Sequence, residues 1–125
     1  MSLPVFKKLQ IKPKSFVLVL HAPSKIDDMF GAPPEGISLK TDLGGSFDVV
    51  VAFYKRKADV ESEVDALIEA MGDGLLWISY PKGTSKVETD LNKDILRVGL
   101  EKRGLKAVSL ISIDDVWSSM RLKKI

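Results

Sequence analysis

The stretch DVVVAFYKRKADVESEVDALIEAMGDGLLWISYP, residues 48–81, decides the fold. Its first part, Asp48-Val49-Val50-Val51-Ala52-Phe53-Tyr54, is a continuous apolar run of strand length. That is the pattern of a strand buried on both faces. Val60, Val64, Leu67, Ile68 and Met71 then recur at i, i+4, i+7, i+8 and i+11, which lines one face of a helix of about four turns. Asp59 is the expected N-cap, because its carboxylate can accept an orphan amide proton. Acids in the first turn also suit the helix dipole. Gly72 stands where a left-handed C-cap is wanted. Leu75-Leu76-Trp77-Ile78-Ser79-Tyr80 is a second strand run, closed by Pro81. Strand, helix and strand at this spacing predict a right-handed crossover and parallel pairing.

Upstream, a short helix is expected within Pro4–Gln10, stopped by Pro13. Phe16-Val17-Leu18-Val19-Leu20 reads as a buried strand ending at His21-Ala22-Pro23. Ser24 is placed to cap a short helix through Phe30. Gly31, Pro33, Pro34 and Gly36 punctuate a loop, and Ile37–Leu39 is read as a short strand. Downstream, a polar loop covers Lys82-Gly83-Thr84-Ser85-Lys86, and Thr89 is the expected cap of the next helix. Leu91, Ile95 and Val98 form its stripe, widened by Leu96 and Leu100, and Gly104 ends it. Val108, Leu110, Ile111 and Ile113 mark a strand, Asp114-Asp115 a turn, and Trp117 to Lys124 a last strand. Trp117, Ser119, Arg121 and Lys123 are assigned to one side of it, Met120 and Leu122 to the other. The link 114–116 is too short for a parallel return, which needs about a dozen residues. The expected architecture is therefore one α/β domain over 1–125. It is a three-layer Rossmann-like, mostly parallel sheet with a C-terminal antiparallel hairpin strand.

The chain has 125 residues, 45% hydrophobic and 29% charged, an ordinary globular mix for one domain. It contains no cysteine, which excludes disulfides, thiolate metal sites and cysteine nucleophiles. The start Met1-Ser2-Leu3-Pro4 lacks a signal-like apolar run, and no stretch has membrane-spanning length, so a cytoplasmic setting without membrane contact is expected. Charge is uneven. Lys7, Lys8, Lys12, Lys14 and Lys25 precede any acid, and Arg121, Lys123 and Lys124 close the chain. Asp59, Glu61, Glu63, Asp65, Glu69 and Asp73 crowd one segment. A net charge of +2 does not imply nucleic acid, and no set of stacking aromatics accompanies the basic residues. One histidine leaves metal binding to carboxylates, and Asp27-Asp28 or Asp114-Asp115 lack a third ligand, so no metal is expected. No Walker loop, Gly-x-Ser-x-Gly elbow or HExxH occurs. A hydrolytic triad would have to use His21, and no serine stands in a nucleophile context.

Gly45-Ser46-Phe47-Asp48-Val49-Val50-Val51 resembles the approach to the fourth strand of class I S-adenosylmethionine-dependent methyltransferases. Gly72-Asp73-Gly74-Leu75-Leu76-Trp77-Ile78-Ser79 resembles the approach to their fifth, and Leu9 to Val19 their first. The terminal hairpin is also similar. The resemblance implies a glycine-rich turn after the first strand, yet His21-Ala22-Pro23-Ser24 stands there. Pro23 lacks an amide donor and side chains crowd the turn. Asp42 is the nearest counterpart of the acid that holds the ribose, on a shortened segment. What this implies is a degenerate relative without the cofactor cradle, and no cofactor is expected. The chain also resembles a family of small bacterial proteins, a domain of unknown function, in Lys12-Pro13, in Leu76-Trp77 with Pro81-Lys82, and in Trp117-Ser118 with Arg121-Leu122.

Ligands of open parallel sheets bind beyond the carboxyl ends of the strands. His21, Lys55, Lys82, Thr84 and Ser85 emerge there, a set suited to a small anion. Lys55 belongs to the run Lys55-Arg56-Lys57, and Asp59 beside it offsets part of that preference. Trp77 is read as core, Trp117 as edge cover or interface, and Arg121 as a partner of Asp114 or Asp115. Three functions follow. The first is a non-catalytic domain acting through protein contacts, as a homodimer. The second is a small-anion or nucleotide binder at the sheet edge, and the third a degenerate methyltransferase.

Overall fold

The computed structural model describes residues 5–31 and 33–125, without the Asp27 side chain. The readings on Met1–Pro4, and the Asp27 part of Asp27-Asp28, fall outside the described residues. The elements are α1 (Val5–Lys8), β1 (Phe16–Leu20), α2 (Ile26–Phe30), β2 (Ser38–Lys40), β3 (Val49–Phe53), α3 (Lys57–Met71), β4 (Leu75–Pro81), α4 (Lys93–Glu101), β5 (Leu105–Ser112) and β6 (Trp117–Lys124). The strands form one sheet in the order β2-β1-β3-β4-β6-β5. β1 is parallel to β2 and β3, and β3 to β4. β6 runs antiparallel between β4 and β5.

Alternate residues of the central strands feed two cores. Leu18, Val50, Leu76, Ile78, Met120 and Leu122 pack with Val60, Val64 and Leu67 of α3 and Leu96 and Leu100 of α4. Val17, Val19, Val51, Phe53 and Trp77 face the other way, onto Val5 and Phe6 of α1 and Phe30 of α2. The result is three layers. Trp77 is fully buried and its indole Nε1 donates to Leu9 O at 2.9 Å, which ties the sheet to the segment after α1. Gly74 sits under the chain at Asp48: a Cβ there would lie 2.3 Å from the Asp48 carbonyl oxygen. Gly72 ends α3 at φ 50, as a glycine permits.

Several local expectations are corrected. α3 starts at Lys57, so Asp59 lies within its first turn and is not the cap. Asn92, not Thr89, caps α4, its Oδ1 accepting from Ile95 N at 2.8 Å. The buried stripe of α4 is Leu96 and Leu100; Ile95 and Val98 are exposed. The helix begins later than the apolar pattern suggested, and Leu91 fills the core from the loop before it. Arg121 meets Gln10 Oε1 at 3.3 Å rather than an acid, because its register opposite Trp77 and Ser109 sets it several residues from the turn, where Asp114 Oδ1 accepts from the Val116 and Trp117 amides.

Candidate functional site

The chain leaves β1 towards β2 on one side and reaches β3 on the other, so the order of strand addition reverses between β1 and β3 although the two are parallel. Ligands of open α/β sheets bind at such a point, beyond the carboxyl ends of the strands. A cavity of about 490 Å³ opens there. His21 and Pro23 line it from the turn after β1, and Phe53 to Arg56 from the end of β3. Asp59, Ser62 and Glu63 of α3 and the ring of Trp117 complete the wall. Trp117 and Phe53 meet edge to face with centroids 5.2 Å apart, which gives the cavity an aromatic side.

His21 holds φ at 59, a left-handed conformation uncommon for a side-chain-bearing residue. Its Nε2 lies 2.7 Å from Glu63 Oε1. The Tyr54 hydroxyl donates to the same oxygen at 2.7 Å. Partial burial works against the Glu63 charge. The hydrogen bonds from Tyr54 and His21 outweigh it and hold the carboxyl below the usual range. Burial, and then the hydrogen bond and charge of Glu63, push the Tyr54 hydroxyl far up, so it stays a donor.

Lys55 and Arg56 are held at the rim by a distant loop. Thr89 Oγ1 donates to Lys55 O at 2.6 Å, and Lys57 N donates to Asp90 Oδ1 at 2.7 Å. The N-terminus of α3 thus receives its cap from the loop before α4. Arg56 reaches Glu88 only at 3.9 Å, with both side chains exposed, a weak pair.

Of the five candidate residues, His21 and Lys55 share this cavity. Lys82 and Thr84 line a separate, open depression of about 360 Å³ with Tyr80, Asn92, Lys93 and Ser118. Lys82 Nζ donates to Ser112 Oγ at 2.6 Å, and Ser85 Oγ donates back to Lys82 O at 2.7 Å. The 82–86 loop folds on itself and reaches β5 through Lys82, and none of its residues lines the His21 cavity. Sequence reading left Glu63 and Tyr54 out of the candidate site and gave Trp117 to edge cover or an interface, whereas Trp117 is buried on the inner strand β6 and lines the cavity. The i, i+3 step from Val60 to Glu63 places the acid beside the buried face, which was its one visible signal.

No family model and no curated protein matches the chain. Solved structures do. A SAM-dependent methyltransferase from Aquifex aeolicus is similar with TM-score 0.65 and 11% identity, over 97% of this chain and 88% of that one. The DhpI–SAH complex is similar with TM-score 0.67 and 9% identity, over 96% and 82%. The ribosomal protein L11 methylase from Lactobacillus delbrueckii subsp. bulgaricus follows with TM-score 0.58 and 12% identity, over 95% and 74%. The fold is methyltransferase-like. At these identities the likeness is one of fold alone.

A methyltransferase-like fold implies S-adenosylmethionine, and the rim residues here do not fit it. Side chains occupy the turn where the backbone would have to approach a cofactor, and the imidazole of His21 is tied to Glu63. Asp42, beyond β2, is exposed and lies outside the cavity lining. Among the described residues no group of three or more His, Cys, Asp or Glu side chains is placed to hold a metal, and no helix is long and apolar enough to cross a membrane.

Proposed function

We propose that the chain binds a small anion or nucleotide in the cavity between the ends of β1 and β3. The observation that carries this reading is the meeting of Lys55, Arg56 and His21 around one aromatic-walled cavity at the switch point of the sheet. Two cations at a loop supported from behind give a charged, positioned rim. Asp59 in the same lining narrows the preference to ligands that reach the cations without facing that carboxylate. Thermal melts and calorimetry with inorganic phosphate, adenosine nucleotides and S-adenosylhomocysteine test it. A ligand at about a hundred times its dissociation constant stabilises the fold by roughly 2.7 kcal/mol. Phosphate or nucleotide binding that Lys55→Ala with Arg56→Ala removes supports the reading. Unchanged melts across the panel end it, and binding of S-adenosylhomocysteine alone restores the methyltransferase reading.

The outer edge of β5 supports a second reading, contact with another copy of the chain as a non-catalytic homodimer. β5 pairs only with β6 and leaves Val108 and Leu110 more than two-fifths exposed. An unprotected apolar edge strand is a template for pairing. Sedimentation across a concentration series tests this: a monomer throughout removes it, and Leu110→Lys should dissociate a dimer formed there. The kinship with small bacterial proteins belongs to the same proposal, resting on the Leu76-Trp77 and Trp117-Ser118 motifs.

A further inference from the structure

We propose that the ligand of the switch-point cavity carries a terminal phosphate dianion, and that His21 clamps it by taking up a proton. The inference rests on the anion-binding reading above and narrows its ligand class.

The cluster around His21 sets the argument. From α3, Glu63 and Asp59 line the cavity; from the segment after β3, Tyr54, Lys55 and Arg56 do. Glu63 Oε1 is engaged by Tyr54 and by His21 Nε2, so that oxygen is occupied inside the cluster. Nδ1 of His21 has no hydrogen-bond partner among the described residues, and the side chain is about half exposed at 49%.

A neutral imidazole that donates from Nε2 to Glu63 must keep a lone pair on Nδ1. That lone pair repels an anion. An imidazolium donates from both nitrogens and can bridge Glu63 to a ligand oxygen. Anion binding at this ring is therefore coupled to protonation. A ligand that holds that proton on the ring needs high local charge. A phosphomonoester offers about two negative charges and three terminal oxygens. The Lys55 ammonium, the Arg56 guanidinium and the His21 imidazolium are three donors for three oxygens. A carboxylate supplies one charge and two oxygens. Pro23, Phe53 and Trp117 provide the apolar wall for the group that the phosphate esterifies.

His21 is the sole histidine, so its ring signals are unambiguous in proton NMR. The probes are AMP, inorganic phosphate, adenosine and acetate on the full chain. AMP should move the imidazole signals to the positions of the protonated ring. Calorimetry in two buffers of different ionisation heat should show proton uptake with AMP. Adenosine and acetate should bind at least about tenfold more weakly. His21→Gln should weaken AMP about tenfold and abolish the uptake, and Asp59→Asn should tighten AMP by lifting a repulsion. If AMP binds while the ring signals stay still and no proton is taken up, the clamp is wrong and the anion site stands. Adenosine binding as tightly as AMP removes the phosphate assignment. If neither phosphate nor AMP binds wild type, the anion reading itself falls.

Discussion

Glu63 Oε1 lies 2.7 Å from His21 Nε2, joining the second turn of α3 to the turn that ends β1. The Tyr54 hydroxyl shares that oxygen, so one carboxylate ties together the three segments that frame the cavity. Glu63 is held below the usual carboxylate range in the folded chain. Its contribution is therefore complete above the unfolded carboxylate range and is lost as pH falls through the lowered folded value. Acidification should cost wild type more stability than Glu63→Gln. Denaturant midpoints at neutral and acid pH measure this, and identical acid sensitivity would show that the cluster adds nothing.

Ser79 and Ser119 lie opposite each other on β4 and β6, fully buried, with the Ser79 hydroxyl donating to Ser119 at 2.9 Å. Removing one hydroxyl leaves the other without its partner in the core, at about 1–3 kcal/mol. Removing both takes away the mismatch. Ser79→Ala and Ser119→Ala should each destabilise, and the double variant should cost clearly less than their sum. Additive losses in urea unfolding would contradict this.

Trp77→Phe keeps most of the apolar volume but deletes the indole bond to Leu9 O. The buried carbonyl then loses its donor, at a cost of about 1–3 kcal/mol. Faster amide exchange over residues 9–11, together with a lower melting temperature, is the expected signature. Unchanged exchange there would mean that α1 is held by packing alone.

Asp90 accepts from the first amide of α3 although it precedes α4 in the chain. Asp90→Ala should cost about 1 kcal/mol, close to the loss from Asn92→Ala at the cap of α4. The two differ in reach. Asp90→Ala should also loosen the backbone at Lys55 and Arg56 and weaken phosphate binding, whereas Asn92→Ala should leave binding unchanged. Equal binding by both variants would show that the rim does not depend on this support.

Residues 48–81 and the runs 16–20 and 117–124 made the layered sheet legible, because periodicity reports burial directly: a strand covered on both faces must be apolar throughout, and a crossover helix must be apolar on one. The short link at 114–116 likewise settled the antiparallel hairpin through chain length alone. Helix starts were less legible. Asp59 and Thr89 carry the right chemistry, yet the first amide of α3 is met by Asp90 from across the fold, which leaves no local pattern, and α4 starts beyond Thr89, at Lys93, where Asn92 caps it.

By itself, the sequence determined the element order, the parallel core and the side of the sheet on which polar connectors emerge. Tertiary structure alone decided which connectors meet. It put His21 and Lys55 around one cavity with Glu63, Tyr54 and Trp117, tied Lys82 to β5, set Lys82 and Thr84 in a second depression and turned Ser85 back onto Lys82. The reason is that backbone periodicity fixes which face a residue occupies, whereas the neighbour across a rim is chosen by strand order and by hydrogen bonds spanning dozens of residues.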